Sequence, residues 1–179
     1  LLNYKALADD ADIDMPTAKN WVNILETLGI IFLLHPYSNN VLKRTIKTPK
    51  VYFYDNGLVC YLTRWSSPEV AESGAMSGAL LENFTVSEIM KSYQNAGLEP
   101  YLYFYRDRDA KEIDVILEGD GKLCPLEIKK TATPDKRLTR VFSVMDRSPL
   151  RLGTGAVLCM AEQFGAFDRD NLIVPIWMI

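Results

Sequence analysis

Histidine is all but missing from this chain of 179 residues. His35 is the single one, so a His-rich metal centre is excluded, and with Pro36 beside it and no ligand partner nearby it reads as structural. Cysteine is nearly as scarce. Cys60, Cys124 and Cys159 are odd in number, widely spaced and set among apolar residues, with no CxxC pair. That pattern excludes zinc-ribbon and thioredoxin-type chemistry and reads as reduced core thiols of an intracellular protein. No stretch approaches the roughly 20 apolar residues that span a bilayer, and no signal-like start appears, so a cytoplasmic location without membrane partners is expected. Net positive charge is lacking too. With 20 Lys and Arg against 23 Asp and Glu, the formal charge is -3, so any nucleic-acid contact has to come from a local patch. No GxxxxGK[ST] loop is present, which excludes an ATP site of that type. The chain starts at Leu1 rather than methionine, directly in an apolar helical pattern, as expected of a piece of a longer polypeptide.

What is present is ordinary globular composition, 48% hydrophobic and 24% charged, arranged in two rhythms. In the first, Asn3 caps a short helix and a turn at 12–14 leads to a second helix from Pro16 to Gly29, with Trp21, Val22, Leu25 and Leu28 on its inner face. Thr17, Lys19, Asn20, Asn23, Glu26 and Thr27 would face outward. An apolar strand at 30–34, a turn at 36–40 and a strand at 50–54 follow, with Lys43, Arg44, Lys47 and Lys50 forming a basic wing. The sum is a winged helix-turn-helix over residues 1–60. Such a unit reads DNA with its second helix, but it is equally a packing module that joins domains.

Residues 55–75 are expected to be irregular, with turn signals at DNG (55–57) and SSP (66–68). From there to residue 179 the order is a long helix at 77–96, a strand at 101–105, two strands joined by Gly119, Asp120 and Gly121, a helix at 134–146, and strands at 156–160 and 173–176. That order predicts an α/β domain with a mixed sheet flanked by helices.

The two joined strands carry the chemistry. In EIDVIL (112–117) and CPLEIKK (124–130), alternation sends Asp114 and Ile116 to one face and Ile113, Val115 and Leu117 to the other, while Glu127 and Lys129 share a face away from Leu126 and Ile128. A register pairing Asp114 with Glu127 converges the charges; a slip by one residue separates them. Glu82 lies on the helix stripe of Val86, Ile89 and Tyr93 that should face the sheet, where a carboxylate is costly unless a lysine or a metal ion compensates it. Carboxylate oxygens suit Mg²⁺ or Mn²⁺, and a lysine beside them can orient a water for attack on a phosphodiester. The bland alternative is a cross-strand ion pair between Asp114 and Lys129, worth roughly 0.2–1 kcal/mol. Arg106 reads as a phosphate contact or a plain surface charge. Lys130, Lys136, Arg137 and Arg140, on or near the helix at 134–146, read as a nucleic-acid track or a solvated face.

Asp114, twelve further residues and then Glu127, Ile128 and Lys129 on apolar strands, with Glu82 on the preceding helix, resemble the core of the PD-(D/E)xK nuclease superfamily. The element order from 77 to 160 is similar to its α-β-β-β-α-β arrangement. No proline precedes Asp114, where Ile113 stands instead. The resemblance implies a restriction-endonuclease-like fold over 61–179, with Asp114 and Glu127 holding the metal, Lys129 positioning the water and Glu82 supporting either. Nearly the whole chain, through PKVYFYDNG (49–57), GALLE (78–82), Tyr105, Arg106, Asp114 and LEIK (126–129), also resembles the uncharacterised C-terminal domain of a group of prokaryotic AAA-type ATPases. That resemblance implies an ATPase upstream in the same polypeptide. Three activities follow as expectations: a metal-dependent nuclease module, an inactive nuclease-fold platform that regulates the ATPase, or a DNA-binding regulator acting through the winged helix.

Overall fold

A computed structural model of the chain describes residues 1–38 and 46–179. Lys43, Arg44 and part of the turn expected at 36–40 lie outside the described residues. Within them the protein is mixed α/β, built on one large mixed sheet with helices on both faces.

The chain opens with α1 (Tyr4–Asp10), whose first N–H groups, those of Lys5 and Ala6, are accepted by the Asn3 side chain. Next comes α2 (Met15–Thr27), which starts at Asp14: that carboxylate accepts the Thr17 N–H at 2.7 Å, and Pro16 fills a position where no N–H is needed. Replacing Asp14 by Ala removes that cap and is expected to lower the Tm without loss of the folded baseline. The expected inner face of α2 needs correction. Of Trp21, Val22, Leu25 and Leu28, only Val22 is buried, joined by Ala18, while Trp21 and Leu28 are 51% and 66% exposed. The cluster beneath centres on Leu2, Val22 and Ile31, and α2 buries only Ala18 and Val22.

The hairpin of β1 (Ile31–Pro36) and β2 (Lys50–Phe53) follows, antiparallel with Ile31 opposite Phe53. Residues 55–75, expected to be irregular, instead hold α3 (Asn56–Leu62) and α4 (Pro68–Ser73). The apparent turn signals are helix caps: the Asp55 carboxylate accepts from Gly57 and Leu58, and the Ser67 hydroxyl accepts from Val70. The long helix α5 (Ser77–Asn95) ends before Gly97, whose φ of +69° suits glycine.

Three antiparallel strands come next: β3 (Leu102–Arg106), β4 (Glu112–Gly119) and β5 (Lys122–Lys129). β4 and β5 are joined by Asp120 and Gly121, both at positive φ, as a two-residue hairpin turn requires. A 3₁₀ helix (Lys136–Arg147) occupies the segment expected to be helical. Then come β6 (Arg151–Leu152), β7 (Gly155–Cys159), β8 (Gly165–Ala166) and β9 (Asn171–Pro175), with β7 parallel to both β5 and β9.

The strand order is β2-β1-β3-β4-β5-β7-β9-β8, with β6 pairing β5 off that path. The N-terminal hairpin therefore extends the sheet of the later segment, because His35 and Pro36 run parallel to Tyr103 and Phe104. One core lies between the sheet and α5, where Val86, Ile89 and Met90 meet Phe104, Val115, Leu126 and Ile128. A second lies on the opposite face, where Phe142, Val144 and Met145 cover Ile113, Ile116 and Leu123. Cys159 is buried, but Cys60 and Cys124 are only half-buried, so just one of the three expected core thiols is one. Among the described residues, no helix is long and apolar enough to cross a membrane.

Candidate functional site

The site forms where β4 and β5 part. Their ladder runs from Gly119 opposite Lys122 to Val115 opposite Leu126, and one more step in that register brings Asp114 opposite Glu127. At that step a side chain replaces the backbone partner: the Ile128 N–H donates to Asp114 Oδ2 at 2.9 Å.

A break in alternation aims Asp114. Tyr103 pairs with Ile116 and Tyr105 with Ile113, so Phe104 alone faces both Asp114 and Val115, which is a β-bulge. Ile113 and Ile116 consequently share the 3₁₀-helix core, although they are three residues apart, while Val115 and Leu117 pack against the α5 core. The strict alternation expected for this strand, with Asp114 on the side of Ile116, is corrected by that extra residue. Asp114 faces the ion cluster on the α5 side instead.

Glu82 reaches the cluster from α5. Its Oε1 accepts from Lys50 Nζ at 2.9 Å and from the Tyr52 hydroxyl at 2.6 Å. Lys50, read from the sequence as part of a basic wing, is only 9% exposed and points inward. Its ammonium lies 2.6 Å from Glu112 Oε1 and 3.9 Å from Asp114 Oδ1, with the Phe104 ring centroid 5.4 Å away. Arg106 backs the cluster, with Nη1 3.2 Å from Glu112 Oε2. On the far side, Lys129 Nζ lies 2.8 Å from Glu127 Oε1 and 3.9 Å from Asp114 Oδ2. Glu82, Asp114, Glu127 and Lys129 thus belong to one connected network. Lys50, Tyr52 and Glu112 complete it, and sequence reasoning had not placed them there. The signal was available: period two puts Lys50 on one strand face with Tyr52 and Tyr54, and a lysine aligned with two aromatics points into a core.

Asn83 holds the two halves in place. Its side chain accepts from the Phe53 N–H at 2.8 Å and donates to the Phe53 carbonyl at 2.9 Å and to Asn56 Oδ1 at 2.7 Å. This locks the free edge of β2 to α5. A cleft of about 400 Å³ opens beside it, with Lys50, Tyr52, Glu82 and Glu112 in its wall.

The electrostatics divide the site. Burial pushes Glu82 up, but the Lys50 charge and the hydrogen bonds from Tyr52 and Lys50 outweigh it, so Glu82 lies below the usual carboxylate range. Burial opposes the Lys50 charge, yet Glu82 and Glu112 raise its affinity for the proton overall. Burial and the Glu82 charge keep the Tyr52 phenol protonated. Asp114 goes the other way: burial and Glu82 raise it against the Ile128 N–H and the two lysines. Glu127, buried and next to Asp114, is pushed up to about 7 despite Lys129. Its second oxygen, Oε2, is buried and accepts no hydrogen bond.

Among the described residues, no group of three or more His, Cys, Asp or Glu side chains is arranged as a ligand set. Glu82 is committed to Lys50 and Tyr52, which leaves Asp114 and Glu127 as the two carboxylates that could hold a metal. Two oxygen ligands suit Mg²⁺, which keeps several waters, and the unpaired buried oxygen of Glu127 fits such a cation.

The basic residues expected along the surface are scattered. Lys47 is exposed. Lys130 donates to the Glu72 carbonyl, Lys136 Nζ lies 2.9 Å from Asp168, and Arg137 forks onto Asp135. Arg140 is exposed and lines a shallow cavity with Lys111 and Arg147.

Two family models match the chain: Domain of unknown function (DUF8612) over residues 1–69 and Domain of unknown function (DUF4143) over residues 77–179. The chain is similar to Uncharacterized protein Rv2008c of Mycobacterium tuberculosis and Uncharacterized protein Mb2031c of Mycobacterium bovis. Each is 29% identical over 153 residues, a match covering 85% of this chain but 34% of theirs. The chain therefore spans about a third of the length of these curated relatives. No solved structure matches it significantly. The second model takes in Glu82, Asp114, Glu127 and Lys129 and more than half of the chain, which belongs to the family described as Domain of unknown function (DUF4143).

Proposed function

We propose that this chain carries a metal-dependent nuclease-like module that hydrolyses nucleic-acid phosphodiesters. The observation that carries the reading is the meeting of Asp114, Glu127 and Lys129 where β4 and β5 part, with a buried Glu127 oxygen left unpaired. In this reading α1, α2 and the β1–β2 hairpin form a winged helix. The run α5, β3, β4, β5, 3₁₀ helix and β7 forms a restriction-endonuclease-like core.

Asp114 and Glu127 would hold Mg²⁺ or Mn²⁺. A cation bound there supplies positive charge to a phosphoryl oxygen. The Lys129 side chain is 43% exposed, so its ammonium reaches the solvent and a substrate while staying tied to Glu127. It orients the attacking water and offsets charge that develops on the phosphate. Glu82 holds Lys50 and Tyr52 behind Asp114. Arg140, Lys111 and Arg147, with Lys47 on the N-terminal unit, offer the nucleic-acid backbone its contacts. The relatives' length beyond the matched third leaves room for the upstream AAA-type ATPase that the resemblance implies.

The test is Mn²⁺ titration by calorimetry together with cleavage of single- and double-stranded DNA and RNA, for the wild type, Asp114→Asn and Glu127→Gln. Binding and cleavage are expected in the wild type and should be lost in both variants. Metal binding without cleavage of any substrate would favour an inactive platform that regulates the ATPase. Absence of metal binding at millimolar concentration would reject the reading.

A further inference from the structure

β2 ends the sheet, and its outer edge is occupied at both ends and bare between them. The Tyr54 N–H donates to the Ile30 carbonyl, in step with the register of Ile31 opposite Phe53. Antiparallel alternation then turns Tyr52 and Lys50 toward β1 and sends the main-chain groups of Pro49, Val51 and Phe53 outward. The outer two are met. The Leu2 N–H donates to the Pro49 carbonyl at 2.8 Å, and the Asn83 side chain takes both the N–H and the carbonyl of Phe53. Among the described residues, the N–H and carbonyl of Val51 have no partner. Val51 lines the cleft of about 400 Å³ that runs along this edge.

We propose that this edge takes a short extended peptide of a partner polypeptide as an added antiparallel strand, apolar opposite Val51 and Tyr52 and basic opposite Lys50. An antiparallel residue facing Val51 exchanges both main-chain bonds with it, the means by which open sheet edges capture extended peptides. Residues opposite each other in a ladder project to the same face. The residue opposite Val51 therefore lies on the side where Val51 and Phe53 pack with Leu33. Its two neighbours project toward α5, where the cleft wall changes along the strand. Val59 and Leu80 stand at the far end, beyond which Asn56 donates to the Leu80 carbonyl, and they suit an apolar side chain. Glu82 and Glu112 stand at the Lys50 end, 29% and 28% exposed. In that wall two carboxylates share one ammonium, and Arg106 meets Glu112 from outside the wall, so the charge facing the cleft favours a basic side chain. A strand seated there would touch the back of the ion network through Glu82 and Glu112.

The experiment adds the probe acetyl-Gly-Leu-Val-Arg-amide to the isotopically labelled whole chain and follows amide exchange by nuclear magnetic resonance. At saturation, exchange of the Val51 amide should slow by about tenfold or more. A probe N-methylated at its valine loses the donor to the Val51 carbonyl, and a probe with glutamate for arginine meets Glu82 and Glu112 with like charge. Each should bind about tenfold or more weaker. Glu112→Gln should weaken the arginine probe and leave a probe with alanine in its place unchanged. No binding at about 1 mM, unchanged exchange at Val51, or equal affinity of the N-methylated probe would overturn the proposal. Protection of Val51 without probe that grows with protein concentration would assign the edge to a second copy of the chain and overturn the peptide partner.

Discussion

Lys129→Ala is expected to lower the cleavage rate by about 10²–10³-fold, the usual loss when one fixed group that stabilises developing charge is removed. Lys129 is suited to that loss. Its ammonium is anchored 2.8 Å from Glu127 and lies 3.9 Å from Asp114, but 43% of the side chain remains exposed. Removing it takes away no metal ligand, so Mn²⁺ affinity should not fall. Single-turnover cleavage of a labelled DNA at saturating Mn²⁺ separates the two effects. A lowered rate at unchanged metal affinity assigns Lys129 to the chemical step; an unchanged rate removes it from the mechanism. Lys129→Arg should rescue only partly, because a planar guanidinium cannot place a point charge where the ammonium stood.

The second large effect is on stability and depends on pH. Glu127 titrates at about 7 in the folded protein against an ordinary value of 4.5. A carboxylate raised on folding favours the folded state fully below its unfolded value, and that contribution disappears as pH rises through the folded value. Between pH 4.5 and 7 the wild type should therefore lose stability on the order of a few kcal/mol as the adjoining Glu127 and Asp114 carboxyls, both raised on folding, ionise. Glu127→Gln keeps the shape and removes the charge. Without divalent metal it should melt higher than the wild type at pH 8, by on the order of 5–10 °C, and level with it near pH 4.5. Glu82 has the opposite sign, being lowered, so its contribution is present above its ordinary value and lost below it. It remains in both proteins and cancels in the comparison. Mn²⁺ should raise the wild-type Tm at pH 8 and leave Glu127→Gln unmoved. Equal melting of the two proteins at pH 8 without metal would show that Glu127 carries no such cost.

Much of the core was legible along the chain because it is local. The β4–β5 hairpin follows from two apolar strands around Asp120 and Gly121, whose positive φ values suit those residue types. Glu82 could be placed from the helical stripe it shares with Val86 and Ile89. The two short helices at 56–62 and 68–73 were missed because Asp, Ser, Pro and Gly serve both turns and helix starts, and only the neighbours that pack on the first turn choose between them. The inner face of α2 was overestimated for a related reason. Periodicity locates an apolar stripe, but how much of it is covered depends on what lies opposite.

The mixed α/β class, the tight turn that sets the β4–β5 register, and hence the approach of Asp114, Glu127 and Lys129, can be read along the chain. Those features depend on backbone preferences and side-chain periods within a few residues. The rest comes from how the elements pair and pack. The bulge that turns Asp114 toward α5 exists only in the pairing of β4 with β3. The burial of Lys50 among three carboxylates exists only because β1 joins the sheet beside β3 and Asn83 clamps β2 to α5. The first depends on how two neighbouring strands pair and the second on segments 30 or more residues apart meeting in space, and no local propensity encodes which distant charge will neutralise which.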